Sequence, residues 1–73
     1  MDTVAELRAR LRRPLERELA TGCRDDVVVG GLERLVATVG RPFADVRAIL
    51  DGYAALPTEE RARRLETALG LLR

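Results

Sequence analysis

The spacing of the apolar residues is the feature that most constrains the fold of this chain. Leucine, valine and alanine recur every three or four residues in four successive segments, and no two segments show the alternation that a pair of strands would need. Glycines and prolines fall between the segments, where helices end and begin. The pattern therefore predicts an all-α fold, a small four-helix bundle-like domain, with approximate helices over residues 3–21, 25–39, 42–54 and 58–72.

The first segment carries a start signal, an interruption and a stop signal. Thr3 and Glu6 fit a T-x-x-E capping box, and Gly22 is suited to end the helix. Pro14 lacks a backbone N–H and clashes with the preceding turn, which predicts a helix that is kinked or split at Pro14. The apolar stripe of this helix is expected to comprise Val4, Leu7, Leu11, Leu15 and Leu19.

The second segment begins at two acids and contains two adjacent glycines. Asp25 and Asp26 favour a helix N-terminus. Gly30 and Gly31 each cost about 1 kcal/mol relative to Ala inside a helix. We interpret them as sites where another helix packs closely, and a break in the helix is the alternative. The expected buried stripe is Val28, Leu32, Leu35 and Val39, with Val36 on its flank.

The third helix is predicted to begin at Pro42, which suits a first helical position, and to end near Gly52. Its apolar stripe comprises Phe43, Val46, Leu50 and Tyr53. Core packing is therefore the expected role of the only two aromatic residues.

Thr58 is the expected cap of the fourth helix, whose stripe comprises Ala62, Leu65, Leu69 and Leu72. The i,i+4 pairs Glu59–Arg63 and Glu60–Arg64 are expected to stabilise it. The sequence reaches Arg73 still in this apolar pattern and without a C-cap signal. We therefore expect residues 1–73 to form a single helical domain that is the N-terminal part of a longer chain.

Composition argues against catalysis by this segment. The sequence contains no His and no Lys, which removes imidazole bases, the usual zinc sites, Schiff bases and the phosphate-binding loop. We expect no catalytic, metal or cofactor site. The thirteen cations are all Arg against twelve acids, and a net charge of +1 is too small for an autonomous nucleic-acid-binding domain.

The sequence also predicts a cytoplasmic location. It has no apolar run of about 18 residues, so no contact with a membrane is expected, and no signal-peptide region. Cys23 is the single cysteine, which fits a reducing compartment, and a packing role is expected for it.

The best candidate contact site is a group of arginines on the first helix. Arg10, Arg13 and Arg17 share one face away from the leucine stripe, where they could touch DNA phosphates or a partner protein. An ordinary solvated face, with Glu6 pairing Arg10, is the alternative. A helix-turn-helix formed by the second and third helices is disfavoured, because the later helix carries two Asp and one Arg.

Several stretches resemble the helical N-terminal domain of bacterial RecG DNA helicases. They run over residues 13–19, 26–33, 42–43, 50–54 and 59–61, and include RPLEREL, DVVVGGLE and LDGYA. Such helicases use ATP to remodel stalled replication forks and four-way junctions. The resemblance therefore implies a non-catalytic accessory domain acting in recombination and repair.

On that hypothesis, ATP and magnesium serve the parent helicase, and no catalytic residue carries over to this segment. The expected partners are the remaining domains of its own polypeptide, branched DNA through the parent protein, and a possible protein partner. The location would be nucleoid-associated. A stand-alone protein–protein interaction module with a regulatory role is the alternative.

Overall fold

The computed structural model describes residues 3–73, and this part of the chain folds as an all-α bundle without strands. The four α-helices are α1 (Thr3–Thr21), α2 (Asp26–Ala37), α3 (Ala44–Leu50) and α4 (Thr58–Leu72). Two 3₁₀ turns, at Arg41–Phe43 and Tyr53–Ala55, flank α3. The predicted fold class is confirmed.

Helix α1 is a single helix with the predicted bounds. It runs unbroken through Pro14, so the chain does not divide into two short helices there, and the kink stays a prediction. Its end has the hydrogen bonds of a Schellman motif: Gly22 N donates to Leu19 O and Cys23 N to Glu18 O. Gly22 adopts φ +85°, which confirms it as the stop residue.

Helix α2 begins as predicted but ends two residues early. Asp25 caps it by accepting hydrogen bonds from the amides of Val27 and Val28. The helix is continuous through Gly30 and Gly31, so the alternative of a break is wrong. The packing role given to these glycines is also wrong, because a Cβ on either would meet no atom within 4 Å.

Substituting these two glycines with Ala should therefore stabilise the domain. We expect Gly30→Ala and Gly31→Ala each to raise the free energy of unfolding by about 0.5–1 kcal/mol, since alanine restricts the unfolded chain without a clash in α2. The measurement is urea unfolding followed by circular dichroism. Gly52→Ala is the matched control and should destabilise, because Gly52 has φ +72°. A loss of stability in both α2 variants would contradict the expectation.

The third predicted helix, over residues 42–54, is wrong as one continuous element. Pro42 lies in the first 3₁₀ turn, and the regular helix is confined to seven residues, Ala44–Leu50. Gly52 then takes a left-handed conformation that closes the helix before Tyr53. The chain turns here instead of continuing the helix, and the Tyr53 hydroxyl reaches the backbone of α2 at Val29.

The start and the surface of α4 also differ from expectation. Pro57 is the N-cap residue and Thr58 is the first helical residue, so the capping role given to Thr58 is wrong. Arg63 pairs with Glu60 at 2.9 Å, in place of the predicted i,i+4 pairs. Arg64 instead donates to Ile49 O at 3.3 Å.

The core confirms the predicted stripe of the third segment and the three leucines of the α4 stripe, whereas Ala62 is only partly buried and Ala68 is buried in addition. Its buried apolar residues are Leu11, Leu15, Cys23, Val29, Leu32, Val36, Phe43, Val46, Leu50, Tyr53, Leu65, Ala68, Leu69 and Leu72.

The stripes predicted for α1 and α2 are partly wrong. In α1, residues 3–10 are all exposed, so the stripe enters the core only from Leu11 onward. In α2 the buried face is centred on Val29, Leu32 and Val36, which leaves Val28 and Leu35 exposed.

Candidate interaction surface

The three candidate arginines lie on an exposed face of α1. Arg10, Arg13 and Arg17 are all exposed, and none forms an ion pair with another residue of the described range 3–73. The pair between Glu6 and Arg10, which belonged to the alternative of an ordinary solvated face, is therefore not formed among these residues. A neighbouring pair on another side of the helix, Arg12–Glu16, is closed at 3.3 Å.

Two depressions follow the seam between α1 and α2, and two of the arginines border them. The first has a volume of about 330 Å³ and is lined by Leu7, Arg10, Leu11, Leu35, Thr38, Val39, Gly40 and Phe43. The second measures about 200 Å³ and is lined by Pro14, Arg17, Glu18, Val28, Leu32 and Leu35. Leu35 belongs to both, and we call the pair of depressions the α1–α2 groove.

The groove exposes aliphatic side chains that sequence reasoning had assigned to the core. Leu7 and Leu35 are each 45% exposed and Val28 is 49% exposed. Their helical spacing is the same as that of buried residues, which is why the prediction failed. One signal was available: the apolar residues of α2 spread over more of its circumference than a single buried face requires.

Arg61 organises a second cluster, which the sequence did not reveal. Its Nη1 donates to Cys23 O at 3.0 Å and to Asp26 Oδ1 at 3.2 Å, and its Nη2 donates to Ala54 O. The Ala54 amide in turn donates to Glu33 Oε2 at 3.3 Å. This single side chain therefore joins α4 to the α1–α2 loop, the start of α2 and the second 3₁₀ turn.

Glu18 lies in the interior beside this cluster and is 2% exposed. Both of its carboxylate oxygens, and Nε of Arg61, lack a hydrogen-bond partner among the described residues. Burial raises the pKa of Glu18 above its usual value, and the negative charge of Asp25 raises it further, whereas Arg61 lowers it. The folded protein therefore disfavours the ionised form of this side chain.

Two further polar side chains are held in their neutral forms. Burial raises the pKa of the Cys23 thiol, and the charge of Glu18 adds to the effect. The Tyr53 hydroxyl, whose pKa is raised chiefly by burial, donates to Val29 O at 3.2 Å. Both residues are fully buried, which confirms their predicted packing roles.

Residues 3–73 contain no group of three or more His, Cys, Asp or Glu side chains placed to hold a metal ion. Among the same residues, none of the helices combines the length and apolarity needed to cross a membrane. Comparison of the chain with protein-family models, with curated proteins and with solved structures found no match.

Proposed function

We propose that this chain is a non-catalytic accessory domain of a RecG-like ATP-dependent DNA helicase that remodels replication forks and branched DNA. Its contribution is made by contact: it steadies the complex with DNA or binds other parts of the enzyme or a partner. ATP and magnesium would be used by the motor domains of the parent protein. The site of action would be the cytoplasm, at the nucleoid.

One observation supports the proposal beyond the short sequence matches themselves. Residues of the resembling stretches come together at the Arg61 cluster: Asp26 and Glu33 from residues 26–33 and Ala54 from residues 50–54 are hydrogen-bonded in it, and Glu18 from residues 13–19 lies beside it. Arg61 itself lies in the matching residues 59–61. The matches therefore belong to one structural unit, and their joint presence is more informative than separate helical patterns would be.

The gene provides the most direct test. An open reading frame that continues beyond codon 73 into a wedge domain and two motor domains is the expected result. A stop codon immediately after codon 73, with no helicase motifs following, contradicts the proposal and favours the second candidate. That candidate is a stand-alone regulatory interaction module, which is supported by the exposed side chains of Leu7, Val28 and Leu35.

Direct DNA contact through Arg10, Arg13 and Arg17 is a separate prediction. At low salt we expect weak binding to forked DNA, because exposed arginines that form no ion pair within residues 3–73 can neutralise phosphates. With three contacts, the slope of log affinity against log salt should be about −3. Replacing all three arginines with Ala should remove most of the affinity and bring the slope near zero, as measured by fluorescence anisotropy with a labelled fork.

A charge-matched variant provides the control for this experiment. Arg8, Arg24 and Arg47 are exposed and lie outside the candidate face, so their joint replacement with Ala changes the net charge equally. This control should retain most of the binding. Equal losses in the two triple variants would show that net charge alone is responsible, and no binding of the unmodified chain at low salt would rule out the contact.

A further inference from the structure

Three of the six large aliphatic side chains that the described residues expose line the α1–α2 groove. Leu7, Val28 and Leu35 line it, and Val4, which is 37% exposed, lies one turn before Leu7 on α1. Isolated exposed aliphatic residues are ordinary on protein surfaces, whereas a contiguous row of them beside a depression is typical of a contact surface. The shape and chemistry of the groove then indicate what covers it.

The dimensions of the groove match a helix. Its lining residues on α1 run from Leu7 to Glu18, which corresponds to about 16 Å, or three helical turns. The walls are two helices, so a third helix can lay apolar residues from successive turns into the seam. Leu35 projects between the two depressions, where it can separate neighbouring side chains of the bound helix.

The charges along the α1 side of the groove are unbalanced. Arg10 and Arg17 line the two depressions and Arg13 lies between them in sequence, all three exposed and without an ion pair among residues 3–73. Two acids lie nearby, but the three arginines outnumber them: Glu6 does not line the groove, and burial of Glu18 in its floor disfavours the ionised carboxylate. A bound helix with carboxylates along one flank would complement this rim.

We propose that the α1–α2 groove binds an amphipathic helix with an acidic flank, contributed by a partner protein. This goes beyond the proposed function and does not depend on whether the parent protein is a helicase. A second copy of the chain fits less well, because a two-fold contact would bring the same arginine-rimmed surface against itself. Nucleic acid would use the arginines but not the apolar groove, and both aromatic rings are buried.

A pair of synthetic peptides tests the proposal on the full 73-residue chain. Both are helical peptides of about 20 residues with leucine at i, i+4, i+7 and i+11, one flanked by Glu and the other by Lys. Fluorescence anisotropy should show that the Glu peptide binds at least about tenfold more tightly than the Lys peptide. Amide shifts in ¹H–¹⁵N spectra should move along the facing sides of α1 and α2.

Two variants separate the apolar and charged contributions. Leu35→Glu should abolish binding of the Glu peptide, while Leu71→Glu, at an equally exposed leucine of α4 outside the groove, should leave it unchanged. The double variant Arg10→Glu, Arg17→Glu should reverse the preference and bind the Lys peptide more tightly. Circular dichroism of each variant establishes that the bundle is still folded.

Several outcomes would overturn the proposal. Equal affinity for the two peptides would show that the arginines on the rim do not select an acidic partner. Binding that survives Leu35→Glu would show that the peptide binds outside the groove. If sedimentation shows that the unmodified chain dimerises and that Leu35→Glu abolishes the dimer, a second copy is the occupant. If the chain binds forked DNA, and if Leu35→Glu lowers the affinity for DNA as much as it lowers the affinity for the Glu peptide, the groove is a nucleic-acid surface.

Discussion

Replacing Arg61 with Ala is expected to lower the free energy of unfolding by about 3 kcal/mol. The substitution leaves the carbonyls of Cys23 and Ala54 without their donor and removes the ion pair with Asp26. For a domain of this size, such a loss is a large share of the total stability. Urea unfolding followed by circular dichroism measures it, and a markedly lower midpoint with an unchanged urea dependence is the expected result.

The effect should come mainly from the backbone carbonyls, not from the salt bridge. The Arg61 side chain is 12% exposed but that of Asp26 is 86% exposed, so solvent screens the pair. Asp26→Ala should therefore cost less than about 1 kcal/mol. The loss of unfolding free energy for Arg61→Lys should lie between the losses for Asp26→Ala and Arg61→Ala. The ammonium group of Lys lacks the planar guanidinium geometry with which Arg61 reaches several acceptors.

Arg63→Ala is the matched control for this prediction. Arg63 lies on the same helix, but its side chain is 74% exposed and, within residues 3–73, forms an ion pair with Glu60 alone. Its removal should change stability by no more than about 0.5 kcal/mol. If Arg61→Ala were as mild as Arg63→Ala, Arg61 would not be the residue that joins the four parts of the fold.

Local signals explain which parts of the fold could be predicted from the sequence. The bounds of α1 and α4 follow from strong local features: a long apolar period, a glycine that takes positive φ at residue 22, and a proline at residue 57 that precedes α4. The cap at Asp25 depends on residues within three positions. The predicted bounds of the third segment are wrong because the left-handed conformation of Gly52 ends the regular helix at Leu50, whereas the apolar pattern continues to residue 54.

The candidate sites depend on contacts that are distant in sequence. Arg61 and Cys23 are 38 positions apart, and no local pattern distinguishes Arg61 from the exposed arginines that follow it. Glu18 has a charged side chain at a position where α1 meets the interior, so hydropathy places it on the surface. The three arginines of α1 were found because they face away from the core, whereas the groove beside them became visible only once α2 was placed.

Neutralising Glu18 should stabilise the domain, and the gain should depend on pH. At pH 8, Glu18→Gln is expected to raise the free energy of unfolding by about 1–2 kcal/mol, since it removes a buried charge whose oxygens have no hydrogen-bond partner among the described residues. The exposed Glu16→Gln, on the same helix, is the control. It should lose only the small contribution of the Arg12 pair.

The direction of the pH effect follows from the raised pKa of Glu18 in the folded state. Well below pH 4.5 the carboxyl is protonated in both states and contributes nothing. As pH rises past 4.5, the Glu18 carboxyl releases its proton in the unfolded chain before it does so in the folded chain. This stabilises the unfolded state relative to the folded state. The contribution of Glu18 to the free energy of unfolding therefore falls until the pH exceeds its pKa in the folded state, and Glu18→Gln should lack this contribution.

The stability difference between Glu18→Gln and the unmodified chain isolates this contribution, because the other carboxylates are common to both proteins. The difference should be near zero at acidic pH and reach a plateau once the pH exceeds the raised pKa of Glu18 in the folded state. It should be larger in an Arg61→Ala background, since Arg61 is the cation that lowers the pKa of Glu18. A difference that is independent of pH would show that the carboxylate is solvated in the folded state, and would remove the electrostatic link between Glu18 and the Arg61 cluster.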